Sequence, residues 1–256
     1  MAVSGRCSAP SRRGATVGAP VLVVEHGPDD PPGRIGDWLE EKGCRLEVVR
    51  CHSGDQLPGS LAGLAGLVVL GGAMGAYDDD VAPWLPQTKH LLSQAAQQDL
   101  PTLAVCLGHQ LLAVANSGRV ERQPVQQTGV TAVRPTAAAA EDPLFVRLGA
   151  EASALHWNHD LVVAAPPGAV VLSRSGAGIQ ALRLGSSVWG VQFHPEVEVE
   201  TVAGWARADV AAGRLDARAA ADGLAELAEA DERLFTVWRD FAHRFALHLS
   251  RSRRGR

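Results

Sequence analysis

The stretch that most constrains the fold is Leu100-Pro-Thr-Leu-Ala-Val-Cys-Leu-Gly-His-Gln-Leu-Leu-Ala113. Thr102 to Val105 is a short apolar run with β-branched members, opened by Pro101, and it suits a central parallel strand covered on both faces. After Cys106 the period changes, and Leu107, Leu111, Leu112 and Ala115 fall at helical spacing. The strand therefore turns into a helix with almost no loop, and Gly108 removes the side chain that would crowd such a turn. This is the geometry of a nucleophile elbow, with the thiol held out at the carboxyl edge of the sheet. Free N–H groups and the positive dipole end at the helix start lower a thiol pKa and favour the thiolate. Taken alone, Cys106 reads equally well as a small buried hydrophobe at a strand end.

A second stretch, Trp189-Gly-Val-Gln-Phe-His-Pro-Glu196, bears on that choice. Val191 to Phe193 is expected as a strand stopped by Pro195, which leaves His194 and Glu196 at its end. A base and a carboxylate two residues apart can form a relay in which His194 activates the thiol and Glu196 orients the imidazole. A third stretch begins with the expected strand Leu67 to Leu70, which runs into Gly71-Gly72-Ala73-Met74-Gly75. Glycines after a strand let backbone N–H groups approach a bound atom, such as the oxyanion of a tetrahedral intermediate.

Val105-Cys106-Leu107-Gly108-His109-Gln110, Gln192-Phe193-His194-Pro195-Glu196 and Gly71-Gly72-Ala73-Met74-Gly75 together resemble a class I, triad-type glutamine amidotransferase domain. Three separated motifs in the right order make a specific signal. The resemblance runs from about Val21 to beyond Glu196. It is nearest the free-standing branch similar to the amidotransferase domain of GMP synthase, which also contains γ-glutamyl peptidases. It implies a flavodoxin-like α/β fold: an open, mostly parallel sheet with helices on both faces and an antiparallel extension. It implies Cys106, His194 and Glu196 as catalytic residues and an oxyanion hole made by the N–H groups of Gly72 and Leu107. Gly71, Gln110 and His159 would bind substrate, with Gln110 holding its α-amino acid portion. Two positions depart from the family pattern: Ser117 stands at the first glycine of a paired-glycine turn, and Gln127-Thr128-Gly129 stands where relatives carry Glu-x-Gly. Both bear on the wall of the substrate pocket.

The remaining chain fits one α/β domain over residues 20–250, with β and α patterns alternating from Val21 to Arg50. Ile35 to Lys42 and Thr88 to Gln98 read as helices, the latter with Lys89 and its glutamines towards solvent. Tyr77 to Asp80 and Pro83 to Leu85 resemble the family's lid segment, with the acidic run solvated. Val120 to Val133 and Ala152 to Gln180 read as short strands, and Ala137 to Ala140 as a loop or helix cap. Two helical segments close the chain, Thr201 to Ala212 and Ala217 to Leu249, whose aromatics, Trp205 included, read as core. Residues 1–19 read as a disordered lead-in without the apolar segment of a secretion signal, and 251–256 as a solvated basic tail.

Among the 256 residues, 46% are hydrophobic and 20% charged, with a formal charge of -4, which offers no electrostatic footprint for nucleic acid. No apolar run reaches the length of a membrane span. The four cysteines lack disulfide or zinc-type spacing, so a reducing cytoplasm is the default. His156 and His159 lack the third ligand a catalytic zinc needs, so neither a metal nor another cofactor is expected. The expected chemistry is hydrolysis of the side-chain amide of glutamine or of a γ-glutamyl compound, a small-molecule substrate. Ammonia would go to a separate synthase partner, or a γ-glutamyl substrate would need no partner. A non-catalytic binding or regulatory module on the same fold is the reading from another class, and the intact Cys106, His194 and Glu196 argue against it.

Overall fold

The computed structural model describes residues 18–252, with side chains to residue 250. The expected lead-in at residues 1–19 and the basic tail at 251–256 fall almost wholly outside the described residues, as does Cys7. The chain begins with two βαβ units and a further helix: β1 (Val21–Glu25), α1 (Gly33–Glu41) and β2 (Leu46–Arg50), then β3 (Gly66–Val69), α2 (Leu85–Gln98) and β4 (Thr102–Val105), followed by α3 (Leu107–Ala115). Four antiparallel strands follow: β5 (Arg119–Ala132), β6 (Ser153–Ala164), β7 (Val170–Arg174) and β8 (Ile179–Leu184). The chain then returns to the sheet centre as β9 (Val188–Val191) and ends in α4 (Val199–Ala211) and α5 (Ala217–Ser252).

All nine strands form one sheet in the order β2-β1-β3-β4-β9-β8-β6-β5, with β7 paired to β8. The first five in that order are parallel and the rest antiparallel. Alternation along the parallel strands divides the core into two. Val21, Val23, Val68, Leu103 and Val105 face α1, α4 and α5, including Trp38, Trp238, Phe241 and Phe245. Leu22, Val24, Leu67, Val69 and Ala104 face α2 and α3 through Leu91, Leu92, Leu111 and Leu112. Helices therefore cover both faces of strands that are apolar throughout. Since α1 lies on one face and α2 on the other, the chain changes faces between β1 and β3. A crevice opens at such a point, outside the carboxyl ends of the strands.

Several expected elements move. Helix α2 begins at Leu85, three residues before the expected Thr88, because Pro86 occupies its first turn, where a missing N–H costs nothing. Its Lys89 does not face free solvent: Nζ bonds to Asp79 and to the carbonyl of Ala76. The strand expected at Val191 to Phe193 lies at Val188–Val191. Beyond it Gln192 N–H donates to the Gln180 carbonyl and His194 N–H to the Leu155 carbonyl, so the chain bends away from β4. The antiparallel strands are longer than expected, with fourteen residues in β5 and twelve in β6, their pairing broken by a bulge between Arg122 and Gln127. Ala137–Glu141 is a single 3-10 turn.

Candidate active site

Cys106 sits between β4 and α3 with φ 50° and ψ −105°, a conformation that a non-glycine residue holds only when its surroundings impose it. They do. Cys106 N–H donates to the Val191 carbonyl at 2.8 Å, Gly108 N–H donates to Leu70, and Gln110 N–H closes the first helical turn on the Cys106 carbonyl. A β-carbon on Gly108 would collide with the Val69 carbonyl, so only glycine lets the elbow close against β3.

His194 and Glu196 arrive from the end of β9. Nδ1 of His194 lies 2.7 Å from Glu196 Oε1, and both side chains are buried. A β-carbon placed on Gly71 would lie 3.2 Å from His194 Cε1, 3.7 Å from Cys106 Cβ and 3.5 Å from Asp30 Oδ1. The imidazole, the thiol and the Asp30 carboxylate thus surround one point beside Gly71. Burial disfavours the imidazolium, but Glu196 and Cys106 outweigh it and hold the His194 pKa well above its ordinary value. The Nε2 atom, which faces the thiol side, has no partner of ordinary hydrogen-bond geometry. The amide of Gln192 reaches Cys106 Sγ at 3.5 Å.

The backbone behind Glu196 is held from α1. Arg34 N–H donates to the Glu196 carbonyl at 2.9 Å, and Gly33, at φ 48°, leaves no room there for a β-carbon. The Arg34 guanidinium is itself fixed by a two-pronged bond to Asp231 of α5, at 2.8 and 2.9 Å. The His–Glu turn is therefore braced through α1 by the last helix.

A cleft of about 570 Å³ opens over these groups, with Cys106, His194, Gly72, Gln110, His159 and Asp30 among its lining residues. Gly72 packs so closely on Leu107 that a β-carbon there would lie 2.8 Å from the leucine Cδ2. Among the described residues neither the Gly72 nor the Leu107 N–H donates to a carbonyl. Gln110 Nε2 bonds to the Asp160 carbonyl at 2.9 Å and to Gln192 Oε1 at 3.3 Å. Gly71 supports the floor beneath His194 and Cys106 rather than lining the cleft. His156 lies apart from His159: it is buried edge-on against Phe193, and burial lowers its pKa to about 4. Among the described residues no three His, Cys, Asp or Glu side chains are placed to hold a metal ion.

The two departures from the family pattern have visible consequences. Ser117 takes φ 70°, a left-handed conformation that favours glycine. Gln127 turns to Asn158 and Gln180, and Gln126 forms the cleft wall beside it. The acidic run is not wholly solvated, since Asp78 accepts the Gly75 N–H at 2.7 Å.

Three residues at the site carry no role in the sequence reading. Gln192 stands two residues before His194, and that spacing is the only local signal for it. Trp205, expected in the core, packs half-buried against it and also lines the cleft, its ring 4.8 Å from that of His194 and its Nε1 bonded to the Asp29 carbonyl. Asp30 lies in a loop of turn-forming residues that gives no hint of its contact. Burial, with the carboxylates of Glu196, Asp29 and Glu25, raises its pKa to about 6 against the opposing pull of His194.

Fold and site together define an α/β protein with a cysteine elbow and a His–Glu pair at the carboxyl edge of a parallel sheet. The profile of the glutamine amidotransferase class-I family matches residues 34–203, and the chain belongs to that family. It is 27% identical over 187 residues to the glutamine amidotransferase-like protein YfeJ of Salmonella typhimurium, covering 72% of this chain and 78% of that one. It is 33% identical over 183 residues to the glutamine-hydrolyzing GMP synthase of Aeropyrum pernix, covering 69% of this chain but only 33% of the synthase. The crystal structure of a glutamine amido transferase from Methylobacillus flagellatus superposes with a TM-score of 0.79 at 28% identity, covering 92% of this chain and 95% of that one.

Proposed function

We propose that the chain hydrolyses the side-chain amide of glutamine or of a γ-glutamyl compound through a γ-glutamyl thioester on Cys106. The observation that carries this reading is the convergence of Cys106 and the His194–Glu196 pair beneath the cleft. The thiolate attacks the carboxamide carbon, and the N–H groups of Gly72 and Leu107 receive the oxyanion. His194 gives its proton to the leaving nitrogen, and Glu196 keeps the imidazole in the useful tautomer. Water, deprotonated by His194, then cleaves the thioester and releases the glutamyl acid. Gln110 and His159 hold the α-amino acid portion of the substrate.

The test is glutamate release from glutamine and from a panel of γ-glutamyl peptides and amides, with Cys106→Ala as the blank. Release that depends on Cys106 supports the reading, and undiminished release by the variant overturns it. The match to one third of a glutamine-hydrolyzing GMP synthase favours a second reading, in which the nitrogen leaves as ammonia for a separate synthase subunit. In that case glutamine turnover rises when the partner is added.

A further inference from the structure

We propose that Asp30 is a further catalytic residue, whose carboxylate accepts a hydrogen bond from the departing nitrogen of the substrate amide. This rests on the hydrolase reading above and assigns a group to the leaving side of the bond. Asp30 lines the cleft, and its Oδ1 borders the same point beside Gly71 that His194 Cε1 and Cys106 Cβ border. The loop that carries it is fixed at both flanks, by the Trp205 bond to the Asp29 carbonyl and by the Arg34 N–H on Glu196. Among the described residues no hydrogen bond or ion pair engages the Asp30 carboxylate. A preorganised carboxylate without a protein donor, set beside the acid that protonates the leaving group, is placed for a donor on the substrate.

The step balances without Asp30 exchanging a proton. The Cys106 Sγ–carbon bond forms, the carbon–nitrogen bond breaks with its electron pair on nitrogen, and His194 supplies the proton. Once His194 has protonated it in the tetrahedral intermediate, and before the carbon–nitrogen bond breaks, the nitrogen carries one more N–H and more positive charge than in the amide, so a hydrogen bond to a carboxylate strengthens on the way to cleavage. The charged groups around Asp30 are His194, Glu196, Asp29 and Glu25, with Cys106 across the point beside Gly71, and the carboxyl, raised to about 6 chiefly by burial, is ionised at neutral pH and above. The contact discriminates by leaving atom: an amide brings an N–H to Asp30, whereas an alkyl ester brings none.

The test compares kcat/KM at pH 8 for a γ-glutamyl alkylamide and for glutamate γ-methyl ester in the wild type, Asp30→Asn and Asp30→Ser. The amide-to-ester ratio should fall about tenfold or more in both variants, the size of a lost hydrogen bond to a charged group. An unchanged ratio overturns the proposal: equal losses on the two substrates would make Asp30 merely structural, and no loss on either would remove it from the reaction. The Cys106→Ala control keeps the two claims apart. If it still cleaves the amide, the hydrolase reading falls and this inference with it. If Cys106 is required and the ratio ignores Asp30, only this inference falls.

Discussion

Glu196 touches the imidazole and not the reacting carbon, so its removal should cost less than removal of Cys106 or His194. We expect Glu196→Gln to lower kcat/KM by about 10–10³-fold and Cys106→Ala by more, as measured by glutamate release. The His194 pKa is held above its ordinary value partly by that carboxylate, so the basic limb of the kcat/KM profile should move to lower pH in Glu196→Gln. The same shift has a stability side. A histidine whose folded pKa exceeds its unfolded value of 6.5 stabilises the fold fully below that pH, and loses the contribution as pH rises through the folded pKa. Asp30 behaves oppositely. Its folded pKa of about 6 against 3.8 means that ionisation costs stability, fully so above about pH 6 and not at all below about 3.8. Asp30→Asn should therefore raise Tm over wild type more at pH 8 than at pH 4.5, a test by calorimetry that an equal shift at both pH values would defeat. At this scale Cys106, His194 and Glu196 are legible because each sits in a short motif whose own backbone sets its place. Asp30 and Trp205 are not, because their positions come from contacts between a loop and α4 that lie far apart in sequence.

Helix α5 shows what periodicity reveals and what it leaves out. The stripe through Leu227, Leu234, Trp238, Phe241 and Phe245 is buried as its spacing implies. Trp238 is packed between Phe193 and Phe241 and is 1% exposed, so Trp238→Ala should cost about 3–5 kcal/mol in urea unfolding. The Arg34–Asp231 bond is invisible to periodicity, since it joins an exposed-looking acid to a helix almost two hundred positions away. The elbow is the most legible element: β4 and α3 fall at the expected residues, because a strand that ends on Cys106 and a glycine two residues on admit few alternatives. Gly108→Ala should cost about 1–3 kcal/mol and reduce glutamate release although Cys106 is untouched, as its β-carbon meets the Val69 carbonyl. Release and stability at wild-type levels would show that β3 can yield there. The misplaced start of α2 and the displaced β9 have a common cause: Pro86 and the sheet bend after Val191 override local hydrophobic pattern.

Over the whole molecule, alternating β and α patterns fix the class of fold, while strand order is set by pairings that no local pattern contains. Thr102 of β4 pairs with Val188 of β9, and that long-range register is what brings His194 to Cys106. The parallel half of the sheet builds the floor of the site, and the antiparallel half with α4 builds its outer wall from Gln126, Trp157, His159 and Trp205. A cleft of about 570 Å³ lies within the range of sites for small organic ligands and leaves room beyond a glutamine side chain. Among the described residues no helix is long and apolar enough to cross a membrane. The most direct measurement is intact-mass and peptide-level spectrometry of the protein acid-quenched during turnover of a γ-glutamyl substrate. A single glutamyl adduct on Cys106, released by hydroxylamine and absent from Cys106→Ala, is the predicted result. Turnover without an adduct on Cys106, or with the adduct on Cys44 or Cys51, would contradict the assignment of the nucleophile.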